Sequence, residues 1–349
     1  MRRPIILDVD TGIDDSLALL YLLASPEAEI LGIASTAGNV AADRVALNNL
    51  AWLELCGVPE IEVALGAAEP LAIPLRTTED THGPHGVGYA ELPAPTRTWS
   101  DRSAARMWVD LVRARPGEII GLCTGPLTNL ALALRLEPDL PRLLGRLVIM
   151  GGAFNHPGNT TPTSEWNVHV DPEAAKEVFD AFSAAPADRR PLVCPLDVTE
   201  TIEMTPEHLG RLAALAGCVS APVALTDPPG TRSRASSPIV RHVEDAVRFY
   251  FEFHHHYDQG YLAHMHDPFA AAVALDPGLA VLRPATVDVE LTGALTRAMT
   301  VADWAGMWGR EPNADIVVRA EPAVFFDRLL DRVAAFARSV AASSPMEVP

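Results

Sequence analysis

The sequence predicts an α/β protein with a single domain, in which helices cover both faces of a mostly parallel open sheet. Short runs rich in Ile and Val alternate with longer stretches of helical periodicity up to about residue 195. This alternation is typical of parallel strands joined by crossover helices. The chain has neither an internal repeat nor a clear linker, so residues 1–349 are expected to form one domain.

The predicted elements follow one another in order. Buried strands are expected at 4–9, 29–36, 61–65, 118–123, 147–150 and 191–195, where short apolar runs occur. Helices are expected at 15–24, 40–55, 101–114, 127–136 and 172–181. The first ends before Pro26 and the second at Gly57, residues that commonly terminate helices.

The alternation weakens in the last third of the chain. Residues 219–240 are rich in Pro, Gly and Ser, and they are interpreted as a mobile loop, like the polar stretch at 76–100. Further helices are expected at 241–257, 267–274 and 322–341. Strands are expected near 286–290, 297–302 and 314–319.

Composition excludes several classes of function. The net charge of -18 argues against nucleic-acid and anionic-membrane partners, which require a basic surface. Lys176 is the only lysine, which removes most lysine chemistry. The four widely spaced cysteines are expected to be buried free thiols. We see no signal peptide or membrane span, so a soluble cytoplasmic protein is expected.

The clearest chemical signal is a cluster of acids at the end of the first strand. Asp8, Asp10, Asp14 and Asp15 surround a tight turn at Gly12. One of these acids could simply cap the following helix, but capping does not explain four. Such carboxylates repel one another unless a cation lies among them, and oxygen ligands suit Ca²⁺ or Mg²⁺. We therefore interpret the cluster as part of a metal site.

Other polar residues follow the predicted strands, where ligands bind in sheets of this kind. Asp267 could cap a helix that begins at Pro268, or it could complete the metal shell. The usual pKa of a histidine side chain suits proton transfer, which makes His266 a candidate for that role. The remaining candidates after strand ends are Asn39, Thr124, Met150, Asn159, Glu165 and Asn167.

Together these motifs resemble the inosine–uridine-preferring nucleoside hydrolase family. The resemblance runs from Asp8 to about Ala274, and it implies a Rossmann-like core and hydrolysis of the N-glycosidic bond of ribonucleosides. The order and spacing of the motifs are more specific than any one of them. They are Asp8-Val9-Asp10-Thr11-Gly12-Ile13-Asp14-Asp15, Thr124-Gly125-Pro126-Leu127-Thr128-Asn129-Leu130, Met150-Gly151-Gly152-Ala153, Asn159 with Glu165-Trp166-Asn167, and His266-Asp267-Pro268.

The resemblance implies a role for each matching position. Asp10, Asp15, Asp267 and the Thr124 carbonyl would bind Ca²⁺, and Asp10 would also take a proton from the attacking water. His266 would be the general acid. The substrate-binding residues would be Asp14, Asn167 and Asp267 at the 2′- and 3′-hydroxyls, Asn159 and Glu165 at the 5′-hydroxyl, Asn39 and Met150 beside the ribose, and His82 near the base.

Base preference is where this sequence departs from part of the family. Purine-selective relatives sandwich the base between tryptophans, whereas position 83 is Gly and no Trp precedes His266 closely. The resemblance therefore favours a pyrimidine-preferring or nonspecific enzyme. Tyr250 and His254 could contact the base or could belong to the core. The family commonly forms dimers or tetramers, so a homodimer or homotetramer is expected.

Two other functions stay open. Asp8 and Asp10 after an apolar strand resemble the nucleophile and acid of haloacid-dehalogenase-like phosphatases, although position 12 is Gly where that family has Thr. The second alternative is a non-catalytic nucleoside or ribose binder. The presence of both Asp10 and His266 argues against a pure binder, because binding alone needs neither a base nor an acid.

Overall fold

The computed structural model describes residues 2–343, in which helices and strands alternate along most of the chain. The helices are α1 Ile13–Leu23, α2 Ala42–Leu55, α3 Glu79–His82, α4 Ala104–Ala114, α5 Thr128–Leu136, α6 Leu140–Leu143, α7 Trp166–Val170, α8 Pro172–Phe182, α9 Leu196–Thr199, α10 Pro206–Leu215, α11 Pro238–His256, α12 His266–Leu275 and α13 Pro322–Ser343. The strands are β1 Arg3–Val9, β2 Ala28–Ser35, β3 Val63–Leu65, β4 Ile120–Cys123, β5 Arg146–Met150, β6 Leu192–Cys194, β7 Glu203–Met204, β8 Ala263–His264, β9 Ala280–Val289, β10 Thr300–Asp303 and β11 Ala314–Ala320.

Nine of the strands form one sheet in the order β10-β9-β11-β6-β5-β4-β1-β2-β3. The strands from β11 to β3 pair in parallel, and only β9 runs in the opposite direction, paired antiparallel with both β11 and the edge strand β10. The predicted mostly parallel α/β sheet is therefore confirmed. The chain reverses its direction across the sheet at β1, which lies between β2 and β4, and ligands bind at such switch points.

Both faces of the sheet are covered. In β1, Ile5 and Leu7 belong to one buried cluster, which includes residues of α1, α11, α12 and α13. Ile6 belongs to a second cluster, which includes residues of α4, α5 and α8. Successive side chains of a strand point to opposite faces, so a strand buried on both faces is apolar throughout.

Several details differ from the sequence-based expectations. Helix α10 was not among the predicted helices, and α11 begins at Pro238, so residues 238–240 belong to a helix rather than to the expected loop. Helix α12 begins at His266, so Asp267 lies inside its first turn and is not its N-cap. Among the cysteines, Cys56, Cys123 and Cys194 are buried free thiols, whereas Cys218 is half-buried.

The two loops expected to be mobile are held by hydrogen bonds to α11. Tyr89 donates to Glu252 at 2.6 Å, and the backbone N–H of Gly230 donates to the same carboxylate at 3.1 Å. Arg248 is buried and pairs with Asp227 at 2.8 Å. The mobility of these loops stays a prediction. Within residues 2–343, no helix is both long and apolar enough to cross a membrane.

Candidate active site

A cavity of about 760 Å³ contains nearly all of the residues singled out in the sequence. This volume lies within the range typical of ligand pockets. Asp15 is the one predicted site residue that does not line the cavity, although it lies in the acid cluster beneath it. The predicted residues that line it are Asp10, Asp14, Asn39, His82, Thr124, Met150, Asn159, Glu165, Asn167, His266 and Asp267.

Strand pairing brings the acid turn beside the loop after β4. Asp8 pairs with Cys123 across the parallel ladder, and the Thr124 N–H donates to the Asp8 carbonyl at 2.9 Å. The Thr124 hydroxyl donates to Asp15 Oδ1 at 2.7 Å. The two strand ends are thereby fixed side by side at the carboxyl edge of the sheet.

Three of the aspartates form a tight cluster. One carboxylate oxygen from each of Asp14, Asp15 and Asp267 lies within 4.8 Å of the others. Burial and mutual repulsion raise the pKa of Asp14 to about 7, and burial raises the pKa of Asp15 to about 6. Burial and the neighbouring carboxylates hold the pKa of Asp267 well above its ordinary value. The cluster is expensive to ionise without a cation.

Asp10 lies beside this cluster but is not one of its three members. The ligand set that the resemblance implies is different, because it includes Asp10. Its Oδ2 accepts a hydrogen bond from the Asn39 backbone N–H at 2.8 Å. Its Oδ1 is buried and has no hydrogen-bond partner among residues 2–343. Burial and the charge of Asp15 raise its pKa well above the ordinary value. One oxygen of Asp10 is thus free to accept a proton or a ligand.

Asp15 also serves the local backbone. The Gly12 N–H donates to Asp15 Oδ2 at 2.7 Å, which satisfies a donor at the start of α1. Gly12 itself lies close to its neighbours, because a Cβ there would be 2.6 Å from Asn39 Nδ2 and 2.7 Å from His82 Nδ1. A side chain at position 12 would therefore displace two residues of the site. The requirement for Gly here is steric.

The donor set fits a hard divalent cation. The cluster offers carboxylate oxygens, and Asp10 beside it adds an unpartnered Oδ1. Among the described residues that line the cavity, none is a Lys or Arg that could neutralise the carboxylates. Oxygen ligands of this kind are those preferred by Ca²⁺ and Mg²⁺. The acid cluster can therefore hold a metal ion.

Asp8 has a different environment. Its Oδ2 accepts from Trp108 Nε1 at 2.7 Å and its Oδ1 from Asn129 Nδ2 at 2.9 Å. It does not line the cavity. Burial raises its pKa to about 7. These contacts make Asp8 a structural residue, and they argue against the phosphatase alternative, which needs Asp8 as an accessible nucleophile. Lys176 is likewise remote, since it pairs with Asp288 at 2.7 Å.

One part of the cavity lining is held by a short network around Asn167. Its Nδ2 donates to the Thr124 carbonyl at 2.7 Å and to the Met150 carbonyl at 3.2 Å. Glu165 caps α7 and also accepts from the Gly152 N–H at 2.9 Å. Asn159 Oδ1 accepts from the Trp166 N–H at 2.9 Å. Each of these predicted substrate ligands also supports the local fold.

Several histidines also line the cavity. The Ile13 N–H donates to His82 Nδ1 at 3.1 Å, so the neutral ring carries its proton on Nε2. His266 Nδ1 lies 2.8 Å from the Thr199 hydroxyl. Burial lowers the pKa of His82 to about 3 and holds the pKa of His266 well below its ordinary value. Both rings are therefore neutral near pH 7 in the metal-free, substrate-free protein.

Tyr250 and His254, whose role the sequence left open, both line the cavity. His254 Nδ1 donates to the Tyr250 carbonyl at 2.9 Å, which leaves Nε2 as an acceptor in the neutral ring. His254 is buried, whereas His255 and His256 are exposed. The cavity thus contains more polar aromatic surface than expected.

Sequence reasoning missed several lining residues. Trp166 lies between two predicted residues, Glu165 and Asn167, so its position in the motif was an available signal. His156, Glu200 and His264 also line the cavity, but they come from three separate segments. Only the fold brings those three together.

Comparisons with known proteins agree with this geometry. The sequence profile of the inosine-uridine preferring nucleoside hydrolase family matches residues 5–327, a longer stretch than the motifs had suggested. The pyrimidine-specific ribonucleoside hydrolase RihA of Salmonella newport is 35% identical over 338 residues, which are 97% of this chain and 100% of that protein. The corresponding protein of Citrobacter koseri has the same identity and coverage.

Solved structures of similar proteins have the same fold. The purine-preferring ribonucleoside hydrolase from Gardnerella vaginalis superimposes with a TM-score of 0.85 at 29% identity, covering 97% of this chain and 100% of that one. The plant nucleoside hydrolase PpNRh1 gives a TM-score of 0.83 at 28% identity, covering 96% and 100%. This chain belongs to the inosine-uridine preferring nucleoside hydrolase family.

Proposed function

We propose that this protein is a calcium-dependent ribonucleoside hydrolase that prefers pyrimidine nucleosides. Hydrolysis of the N-glycosidic bond of ribonucleosides follows from its family and its relatives. The identity of the metal, the roles of the residues and the base preference are the parts that we add. The observation that carries them is the position of the aspartate cluster in the same cavity as the neutral histidines.

Asp10 is the proposed general base. Its buried Oδ1 has no partner among the described residues, and its other oxygen is held by Asn39. A carboxylate fixed in this way takes a proton from the water that attacks the anomeric carbon. The ribose carbon gains the water oxygen as its bond to the base breaks.

Asp10, Asp15, Asp267 and the Thr124 carbonyl are the proposed ligands of Ca²⁺. When bound, the ion would supply the positive charge that acidifies a water molecule and neutralises the carboxylates. Asp14, the third member of the close cluster, is proposed to bind the ribose hydroxyls together with Asn167 and Asp267. Asn39 and Met150 would lie beside the ribose, and Asn159 and Glu165 would hold the 5′-hydroxyl.

The charge of the cluster also suits the transition state. Cleavage of a glycosidic bond gives the sugar oxocarbenium character. Carboxylates already positioned beside the ribose stabilise that positive charge without further reorganisation. The binding of ribose by acidic groups and the stabilisation of its cation are thus served by the same residues.

The departing base is proposed to meet His266, with His82 assisting. Because burial keeps the His82 ring neutral, it offers a hydrogen bond to the base rather than a full positive charge. His82 presents its Nε2–H, since Nδ1 is occupied by the Ile13 N–H. His266 is the proposed general acid, because the negative charge that develops on the base raises the pKa of the facing imidazole. The ring then takes up a proton from solvent and passes it to the base as the bond breaks.

Pyrimidine preference is supported by two observations. The chain has Gly at position 83, where a purine-stacking tryptophan would be expected, and relatives with 35% identity are named pyrimidine-specific. Trp166, however, lines the cavity and supplies one aromatic surface. A solved relative at 29% identity is named purine-preferring, so the preference needs direct measurement.

A ribose-release assay tests the proposal. The purified protein is stripped with a chelator and assayed with uridine, cytidine, inosine, adenosine and their 2′-deoxy forms, with and without added Ca²⁺. We expect release from pyrimidine ribonucleosides only after Ca²⁺ is restored, and little release from deoxynucleosides. Equal rates on deoxynucleosides would exclude diol binding by the cluster. Binding of uridine without any ribose release would favour the non-catalytic binder.

Two further expectations accompany the proposal. We propose that the protein acts in the cytoplasm, and that it assembles as a homodimer or homotetramer. Light scattering on the purified full chain measures the second directly, and a monomer at assay concentration would contradict it.

A further inference from the structure

Three residues from separate segments form a polar corner of the cavity, which we call the Glu200 corner. It consists of His156 in the loop after β5, Glu200 directly after α9, and His264 in β8. His156 Nε2 lies 3.7 Å from Glu200 Oε2. None of the three has a part in the hydrolysis described above.

The Glu200 corner adjoins the proposed leaving-group residue. The His264 ring lies 5.5 Å from the His266 ring, measured between centroids. Thr199, next to Glu200 in the chain, contacts His266 Nδ1 at 2.8 Å. The Glu200 corner therefore adjoins His266 through both His264 and Thr199. In the proposed mechanism, His266 faces the departing base. This places the corner on the base side of the cavity.

The corner offers hydrogen-bond capacity that the protein does not use. His264 Nδ1 is buried and has no hydrogen-bond partner among residues 2–343. Glu200 is half-buried, and the neighbouring side chains that act on its charge are His156 and Asp197. A buried polar atom without a partner costs free energy, so a ligand that supplies the partner gains affinity. An ionised carboxylate can only accept hydrogen bonds.

We infer that Glu200, supported by His264, contacts the edge of the nucleobase and favours a base that presents an amino group there, such as cytosine, over the keto counterpart, uracil. The inference rests on the nucleoside hydrolysis proposed above. A carboxylate accepts from the cytosine N4 amino group, as it does in DNA readout. The O4 carbonyl of uracil offers it no donor and is repelled by its charge.

The test compares cytidine with uridine. The measurement is kcat/KM for both at about pH 8, well above the ordinary Glu pKa of about 4.3. The wild-type protein is expected to prefer cytidine. Glu200→Gln is expected to lower the cytidine-to-uridine ratio by about tenfold or more, because an amide can donate to O4 as well as accept from N4. Glu200→Asp retains the charge and is expected to keep the ratio nearer that of the wild type.

Glu203→Gln is the matched control. Glu203 is exposed in β7 and pairs with His264 in the two-stranded ladder, so the chemical change is the same and lies nearby. The cytidine-to-uridine ratio of kcat/KM for Glu203→Gln should equal that of the wild type. A wild-type preference for uridine, or an unchanged ratio in Glu200→Gln, would overturn the inference. If Glu200→Gln lowers kcat/KM for cytidine and for uridine by the same factor, the inference is also overturned.

The 5′ end of the substrate is the competing location, because His156 lies in the same loop as Asn159. The 5′-deoxy forms of both nucleosides separate the two. If Glu200→Gln instead changes the ratio of kcat/KM between 5′-hydroxy and 5′-deoxy substrates, the Glu200 corner contacts the sugar and the inference is wrong. If the wild type releases no ribose from any nucleoside, the proposed hydrolysis fails. Calorimetric binding of cytosine and uracil then still tests base selection by itself.

Discussion

Asp10 and Asp8 lie two residues apart on the same buried segment, yet their surroundings give them opposite roles. Both oxygens of Asp8 accept hydrogen bonds from Trp108 and Asn129. One oxygen of Asp10 is held by Asn39 and the other has no partner among the described residues. Burial raises the pKa of both carboxyls, so burial alone does not distinguish them. The unpartnered oxygen of Asp10 is what distinguishes the two residues.

Replacing Asp10 with Asn should therefore abolish turnover while preserving the fold. Loss of a general base typically lowers the rate by about 10²- to 10⁴-fold, and loss of a metal ligand adds to this. The measurement is kcat for uridine, with the melting temperature as the check on folding. Asp8→Asn is the matched control, and it should lower the melting temperature while changing kcat less than about tenfold. Equal losses of kcat would contradict the division of roles.

Gly12 provides a second test at the scale of one residue. A methyl group there would come within 2.6 Å of Asn39 and 2.7 Å of His82, so both side chains would have to move. Gly12→Ala is expected to lower kcat/KM by about 10- to 100-fold, since displacements of about 1 Å can cost this much. Far-ultraviolet circular dichroism should be unchanged. Near-normal activity would show that the turn is less constrained than the contacts indicate.

The site residues that could be predicted are those adjacent to a recognisable strand end. Asp10 and Asp14 belong to a motif with more acids than helix capping explains, and Asp267 belongs to the short His266-Asp267-Pro268 motif. Glu200 and His264 carry no such signal, because each is an ordinary polar residue in its own segment. Their proximity depends on how α9 and β8 pack beside α12, which local sequence does not encode.

At the scale of elements, Asp8 joins three of them. It lies in β1, Trp108 lies in α4 and Asn129 lies in α5. Trp108→Phe keeps the aromatic packing but leaves one buried carboxylate oxygen without a donor. We expect the free energy of unfolding to fall by about 1–3 kcal/mol. Urea denaturation measures it, and kcat should change little.

The control for this prediction is a tryptophan with no buried carboxylate partner. Trp52 Nε1 donates to the hydroxyl of Ser16 at 3.0 Å, a neutral group, and Trp52 is as fully buried as Trp108 but lies in the cluster on the other face of the sheet. Trp52→Phe removes a donor from a neutral hydroxyl that still donates to the Gly12 carbonyl, whereas Trp108→Phe removes a donor from a carboxylate, and hydrogen bonds to charged groups are worth more. A loss for Trp52→Phe equal to or greater than that for Trp108→Phe would contradict the special role of Asp8.

The elements themselves could be predicted to different degrees. Most strands and helices up to β6 were predicted within a few residues, because their apolar runs are long enough to carry a period. Helix α10 was missed, since only Leu209, Leu212 and Ala213 of its ten residues are buried and Gly210 interrupts it. The two-residue strands β7 and β8 are set by their pairing with each other and have no period of their own.

At the scale of the whole molecule, the aspartate cluster links metal binding to stability. The raised pKa values of Asp14, about 7, and Asp15, about 6, mean that the folded metal-free protein holds protons that the unfolded chain has lost. Between about pH 4 and pH 7 the folded state therefore binds more protons than the unfolded state. In this window, the contribution of these carboxyls to the free energy of unfolding falls as pH rises.

Calcium should reverse that loss. Binding requires the ionised carboxylates, so it displaces protons and weakens as pH falls. We expect the melting temperature of the chelator-treated protein to fall relative to that of the Ca²⁺-loaded protein as pH rises from about 5 to about 8, and the difference between them to widen. At about a hundred times its Kd, the ion should add about 2.7 kcal/mol to the free energy of unfolding.

Asp267→Asn removes one carboxylate and should abolish most of the Ca²⁺-dependent shift in melting temperature. A shift of constant size across this pH range would mean that the ion does not bind at the aspartate cluster.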